Sequence, residues 1–174
     1  PKEYNGYKVY WNDGGQITSP HDNNIISEVE KITDFNQINF NFKSELIDEI
    51  DNKIDKKYIE KIQDLSVYDN SRSKLKIIFS SLHGTGITQI PNALNAFGFK
   101  NISSVRSQEL PDPEFSTVTS PNPEDLDALD LGIKKLKKEK ADILLATDPD
   151  SDRVGVALYD KEKIKILDGN QLAS

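Results

Sequence analysis

The stretch Ile143-Leu144-Leu145-Ala146-Thr147-Asp148-Pro149-Asp150-Ser151-Asp152-Arg153 decides how this chain is read. It opens with an apolar run of the kind found in buried strands. Three carboxylates then follow at alternate positions. An extended backbone points residues i, i+2 and i+4 to one side, so Asp148, Asp150 and Asp152 are expected to converge. Pro149 favours that geometry by fixing its own φ and pushing Asp148 out of helical space. Two carboxylates roughly 5 Å apart repel by about 3 kcal/mol at an effective dielectric near 20. Aiming three of them at one point is therefore costly unless a cation sits there. Arg153 supplies one positive charge, which leaves a formal deficit that a divalent ion matches.

The residue types narrow the ion. Few protein carboxylates, with room for water and a phosphate oxygen, suit Mg²⁺. Zinc is disfavoured, because neither His21 nor His83 lies near the cluster in sequence and the chain has no cysteine. A calcium EF-hand also begins Asp-x-Asp-x-Asp, but it needs Gly at loop position 6 and Glu at position 12. Arg153 and Tyr159 stand in those places. The bland alternative is a solvated acidic turn ahead of a hairpin.

Working outward, Val154–Leu158 and Lys163–Leu167 read as a hairpin, and Leu75–Phe79 and Ile102–Val105 as strands. Pro91 through Phe97 reads as a helix closed by Gly98. Leu126, Leu129, Ile133 and Leu136 recur at helical spacing after the acidic turn Pro123-Glu124-Asp125. Lysines 134, 135, 137 and 138 near the end of that helix complement its dipole. Tyr58, Ile59, Ile62 and Leu65 make a further helical stripe. Strands alternating with helices predict an α/β fold, a mostly parallel sheet flanked by helices. Ligands collect at the carboxyl ends of such strands, where the Asp cluster falls.

Nearer the start, residues 7–11 read as a strand ending in the turn Asn12-Asp13-Gly14-Gly15. Ile25, Ile26, Val29 and Ile32 then line one face of a helix. Residues 33–55 lack periodicity and read as a connector with local helix around 44–50. His83-Gly84-Thr85-Gly86 joins a strand to a helix. It is no P-loop, and with Gln89 in the third place it matches only two glycines of Gly-x-Gly-x-x-Gly. A tight turn needing glycine's permissive φ explains it.

Bulk properties exclude several classes. A 36% hydrophobic share in 174 residues is enough for a real core, and a net charge of −7 argues against nucleic acid or an anionic membrane as partner. No apolar run approaches membrane-spanning length and no signal segment opens the chain. Without cysteine there is no disulfide framework, and the cytoplasm is the default expectation. The chain has no methionine, opens on Pro1-Lys2-Glu3-Tyr4 and stops where a helix is starting, so it reads as a piece of a longer protein.

Together these segments resemble the α-D-phosphohexomutase superfamily, the phosphoglucomutase and phosphomannomutase enzymes. Asp148-Pro149-Asp150-Ser151-Asp152-Arg153 is similar to that family's Asp-x-Asp-x-Asp-Arg metal loop. Pro1 and Asn5-Gly6-Tyr7-Lys8 resemble the tail of its Ser-His-Asn-Pro and Asn-Gly-x-Lys segment. Leu82-His83-Gly84-Thr85-Gly86, Pro111–Phe115 and Pro121–Glu124 resemble its second domain, and Gly169-Asn170-Gln171 the entry to its third. The resemblance implies that residues 1–40 are the end of domain I, 41–55 a connector, 56–168 domain II, and 169–174 the start of domain III. It implies an enzyme that moves a phosphoryl group between C1 and C6 (or C5) of a sugar phosphate, through a phosphoserine and a bisphosphate intermediate. Asp148, Asp150 and Asp152 would hold Mg²⁺, Arg153 would contact a phosphate, and Lys8 would serve in proton transfer or electrostatics beside the serine. With the serine position preceding Pro1, these residues alone are expected to lack mutase activity.

Two other readings stay open: a haloacid-dehalogenase-like phosphatase with an aspartate nucleophile, and a non-catalytic module whose acidic loop docks a basic partner. Which sugar phosphate is used, and the oligomeric state, are left open too. The strand at 7–11 and the following helix are not expected to bury both faces within their own domain. Hydrogen exchange should therefore show weak or partner-dependent amide protection there. Uniformly strong protection across residues 6–32 in a proven monomer would contradict this.

Overall fold

Ile77, Ile78 and Phe79 are at most 3% exposed, and they lie in an interior strand of a five-stranded sheet. The computed structural model describes residues 8–41, 43–67, 74–161, 163–167 and 169–174. The sheet consists of β1 (Lys76–Ser80), β2 (Asn101–Ser104), β3 (Ile143–Thr147), β4 (Val154–Asp160) and β5 (Lys163–Leu167). Its order is β2-β1-β3-β4-β5. β1 pairs in parallel with both β2 and β3, and β4 pairs antiparallel with β3 and β5. The chain thus adopts the expected α/β class, with β4 alone running against the common direction.

Helices α2 (Asn52–Gln63), α3 (Gly86–Ala96), α4 (Leu126–Glu139) and α5 (Gly169–Ala173) accompany the sheet. The step from β1 to β2 goes one way across the sheet, and the step from β2 to β3 returns over β1. Right-handed crossovers then place α3 and α4 on opposite faces. The α4 side of the core comprises Leu129 and Leu136 from the helix with Ile78, Leu144, Ala146 and Ala157 from the strands. Gly132 lets α4 approach closely, since a Cβ there would lie 2.7 Å from the Leu144 methyls.

Two helix starts differ from the sequence reading. α2 begins at Asn52, six residues before the stripe that announced it, because Asp51 accepts a hydrogen bond from the Lys53 N–H as an N-cap. α3 begins at Gly86, which leaves Pro91 inside the helix rather than at its head. Proline there forgoes one intrahelical donor, and Asn95 Nδ2 donates to the Pro91 carbonyl at 3.0 Å. The expected close at Gly98 holds. Its φ is +96°, Gly98 N donates to Asn95 O and Phe99 N donates to Leu94 O, the Schellman pattern.

Contacts divide the chain into two units, Asp51–Ser174 and Lys2–Ile50. In the smaller unit, the segment read as a strand makes only an isolated antiparallel bridge, Tyr10 with Gln16, around a turn in which Trp11 N donates to Gly15 O. With no further strand to pair with among the described residues, it stays a hairpin-like turn. The Trp11 ring stacks on His21 at 5.1 Å, at the start of α1 (His21–Glu30). No described residue of this unit is fully buried, and Ile26 and Val29 on the apolar face of α1 are more than half exposed.

Leu144 is fully buried, whereas Leu126 at the head of α4 is 62% exposed. Leu144→Ala should cost about 3 kcal/mol in urea unfolding, and Leu126→Ala no more than about 0.5 kcal/mol. Equal losses at the two positions would contradict the packing described.

Candidate metal centre

Thr147 pairs with Val154 in the antiparallel β3–β4 ladder, so the six residues between them must reverse the chain. That requirement corrects the extended geometry expected from alternation. Asp148 to Ser151 form a β-turn closed by Ser151 N donating to Asp148 O at 3.1 Å, with Ser151 in the left-handed region at φ +64°. The hairpin of β4 with β5 was legible in the sequence. The pairing of β4 back onto β3, which folds the loop, was not.

The turn achieves the convergence by another route. Asp148, Asp150 and Asp152 each offer a carboxylate oxygen within 4.8 Å of the others. Asp148 is 6% exposed, while Asp150 and Asp152 open to solvent. Arg153 joins them on both sides. Its backbone N–H donates to Asp148 Oδ1 at 3.0 Å, and its Nε lies 3.9 Å from both Asp148 Oδ2 and Asp152 Oδ1. Burial pushes the Asp148 carboxyl above its ordinary value; the Arg153 N–H opposes this, and a hydrogen bond with Asp152 and the charges of Asp150 and Asp152 add to it.

This donor set fits a hard divalent cation. All the donors are oxygens, their charge is only partly offset by Arg153, and two of the three face solvent, where water or a phosphate completes a coordination shell.

Support comes from the strand next door. β1 is followed by Ser81-Leu82-His83-Gly84-Thr85-Gly86, and the positive φ values fall on Leu82 (+44°) and His83 (+65°), not on the glycines. The glycines serve close approach instead. A Cβ on Gly84 would sit 2.3 Å from Pro149 Cα, and one on Gly86 would meet Thr147 Oγ1 at 2.7 Å and Ser151 Oγ at 2.8 Å. The reading of this segment as a turn thus holds, but glycine is needed here for space rather than for φ. Thr147 Oγ1 and Ser151 Oγ are buried without a protein hydrogen-bond partner.

His83 is structural. Its Nδ1 lies 2.9 Å from Leu110 O and its Nε2 2.8 Å from Thr117 Oγ1, which also accepts from Gln108 Nε2 at 3.1 Å. Gln108 is fully buried and accepts from Ser80 Oγ, so the loop after β2 is fastened to the end of β1. Within that loop Asp112 is held at a pKa of about 2 by hydrogen bonds from the Ser116 side chain and backbone and from the Glu114 N–H.

Of the sequence-predicted residues, the structure brings Asp148, Asp150, Asp152 and Arg153 together in the Asp51–Ser174 unit. Lys8 is exposed and belongs to the Lys2–Ile50 unit, and Asn5-Gly6-Tyr7 lies outside the described residues. Sequence reasoning missed the contacts of Gly84 and Thr85 with Pro149. The signal was two glycines separated by one residue, in the short link between a strand and a helix.

An α/β sheet with a carboxylate-lined turn at its carboxyl edge defines the class of protein. A family model for phosphoglucomutase/phosphomannomutase, alpha/beta/alpha domain II, matches residues 56–161, and the domain I model of the same family matches residues 1–36. The chain belongs to the phosphoglucomutase/phosphomannomutase family. It is 40% identical over 183 residues to glucose 1,6-bisphosphate synthase of Homo sapiens, a match covering 99% of this chain and 29% of that protein. It is 35% identical over 178 residues to phosphoglucomutase of Staphylococcus aureus (strain MRSA252), covering 100% of this chain and 32% of that one. The crystal structure of a phosphoglucomutase/phosphomannomutase family protein from Burkholderia thailandensis aligns at a TM-score of 0.53 and 26% identity, over 65% of this chain and 22% of that one. The chain spans about a third of the length of these curated relatives.

The raised Asp148 value has a consequence for stability without metal. The folded state holds this proton more tightly than the unfolded chain does. Stability therefore falls as pH rises from the unfolded carboxylate value, about 3.9, through the folded one, and the penalty is constant above. In EDTA, Asp148→Asn should raise the thermal midpoint at pH 7 and flatten its fall between pH 4 and 7. An unchanged slope in the variant would show that Asp148 carries no such penalty.

Proposed function

We propose that these residues form the metal-binding part of a Mg²⁺-dependent enzyme that transfers a phosphoryl group on a sugar phosphate, of the phosphoglucomutase/phosphomannomutase type. The observation that carries this reading is the convergence of Asp148, Asp150 and Asp152 beside Arg153 in a chain of this family. Phosphoryl transfer is catalysed mainly by positioning and charge neutralisation, and the acidic turn provides for both. Asp148, Asp150 and Asp152 would hold Mg²⁺, which when bound supplies positive charge to phosphoryl oxygens.

The protein's own groups do the remaining work. Arg153 has five N–H donors, only weak ion pairs to the two aspartates, and a side chain 59% exposed, so its guanidinium retains donors for a phosphate. The reaction we propose for the whole protein runs through a phosphoserine. Its phosphoryl group passes to a hydroxyl of the sugar phosphate, giving a bisphosphate, and the other phosphoryl group returns to the serine. Lys8 would accept or donate the hydroxyl proton. The domain assignment follows the same reading: 1–40 from domain I, 56–168 from domain II, and 169–174 entering domain III.

The name of the 40% identical relative favours a second reading within the same chemistry. An enzyme that releases the bisphosphate would be a synthase rather than a mutase, and each turnover would then need a separate phosphoryl donor to restore the phosphoserine. The family match weighs against a haloacid-dehalogenase-like phosphatase and against a docking module.

Titration calorimetry of the chain should detect Mg²⁺ or Mn²⁺ binding that tightens in the presence of glucose 1-phosphate. Asp150→Asn or Asp152→Asn should weaken it about tenfold or more. The chain alone should not convert glucose 1-phosphate. Metal binding indifferent to these substitutions, robust turnover by the chain, or an acid-labile aspartyl phosphate on Asp148 would each overturn part of the proposal.

A further inference from the structure

The acidic turn is held from outside by one residue of the neighbouring strand-end loop. Thr85 N donates to Pro149 O at 2.9 Å, and Thr85 Oγ1 donates to the same oxygen at 3.1 Å. A carbonyl oxygen has two lone pairs, and here one residue occupies both. Thr85 stands at the N-cap of α3, where a threonine hydroxyl usually accepts from its own helix. It makes no such cap bond here. The hydroxyl is committed to the acidic turn instead.

Pro149 O belongs to a particular peptide. Since Ser151 N donates to Asp148 O, Pro149 and Asp150 are the central residues of the turn, and the Pro149 carbonyl lies in its central peptide. Type I and type II turns differ by a flip of that peptide, which carries the third residue from negative to positive φ. Asp150 is not among the residues with positive φ, whereas Ser151 after it is. A flip would swing the Pro149 oxygen round towards the Asp150 Cβ, a conformation that favours glycine at the third position, and would break both bonds from Thr85. Gly84 makes the restraint possible, because a side chain there would collide with Pro149 before Thr85 could reach it.

We propose that Thr85 is a positioning residue for the metal-binding carboxylates: by fixing the Pro149 carbonyl with two donors, it holds the turn that carries Asp150 in the conformation in which the three carboxylates converge. This rests on the metal-binding reading above. Thr85 is not one of the candidate ligands and is exposed, so the core does not depend on its side chain. Its hydroxyl is the only part a substitution by valine removes.

The test is Mn²⁺ binding, followed by electron paramagnetic resonance and calorimetry, on the wild-type chain, Thr85→Val, Thr85→Ser and Asp150→Asn. Thr85→Val should weaken Mn²⁺ binding about tenfold, the lower end of what partners behind metal ligands are worth. It should also broaden the Mn²⁺ spectrum while the metal-free thermal midpoint stays near wild type. Thr85→Ser, which restores the donor, should bind within about twofold of wild type. Thr85→Val binding as tightly as wild type, with Asp150→Asn impaired, would overturn the positioning role and leave the metal site standing. Loss in Thr85→Ser equal to that in Thr85→Val would also overturn it. A folded wild-type chain that binds no Mn²⁺ at millimolar concentration would overturn both readings together.

Discussion

The antiparallel pairing of Thr147 with Val154 is the constraint on which the acidic site depends. Once β4 runs back along β3, six residues must turn the chain at the carboxyl edge of the sheet. Pro149 suits the second position of such a turn, and Ser151 accepts the left-handed conformation its geometry demands. Three carboxylates are thereby packed into a few ångströms, one of them buried. The ladder bonds and the buried residues behind them, Leu144, Ala146 and Ala157, hold that arrangement against the mutual repulsion of the charges.

The same loop is braced from the side. The parallel pairing of β1 with β3 puts the end of β1 beside the acidic turn. The close approach of Gly84 and Gly86 turns adjacency into contact. One strand further out, the Ser80–Gln108–Thr117–His83 network ties the loop after β2 to the same edge. Three successive parallel strands thus deliver their loops to one rim, the place where open α/β sheets gather ligands. Buried polar side chains do the fastening there, and apolar packing does it within the sheet.

Much of this was legible in the residues. Apolar runs at 75–79 and 143–146, and the helical spacing from Leu126 to Leu136, carry the signal for strand and helix directly, because burial demands it. The identity of the candidate ligands was legible too, since three alternating aspartates have few other physical uses. The shape of their loop was not. Alternation implied an extended segment, whereas the path of the chain is set by β3–β4 pairing, a tertiary fact that no local pattern encodes. The start of α3 was misplaced as well: Pro91 usually heads a helix, but α3 begins at Gly86 and carries Pro91 inside it. The glycines of the 83–86 turn were recognised as necessary, and the necessity proved to be space for Pro149.

The central claim is that one small cation is shared by Asp148, Asp150 and Asp152. Anomalous diffraction from crystals grown with Mn²⁺ addresses it directly. The account predicts a single strong anomalous peak about 2.2 Å from an oxygen of each aspartate, with its remaining positions open to solvent or phosphate. Carboxylates pointing apart, with no common peak between them in a fully ordered loop, would contradict it.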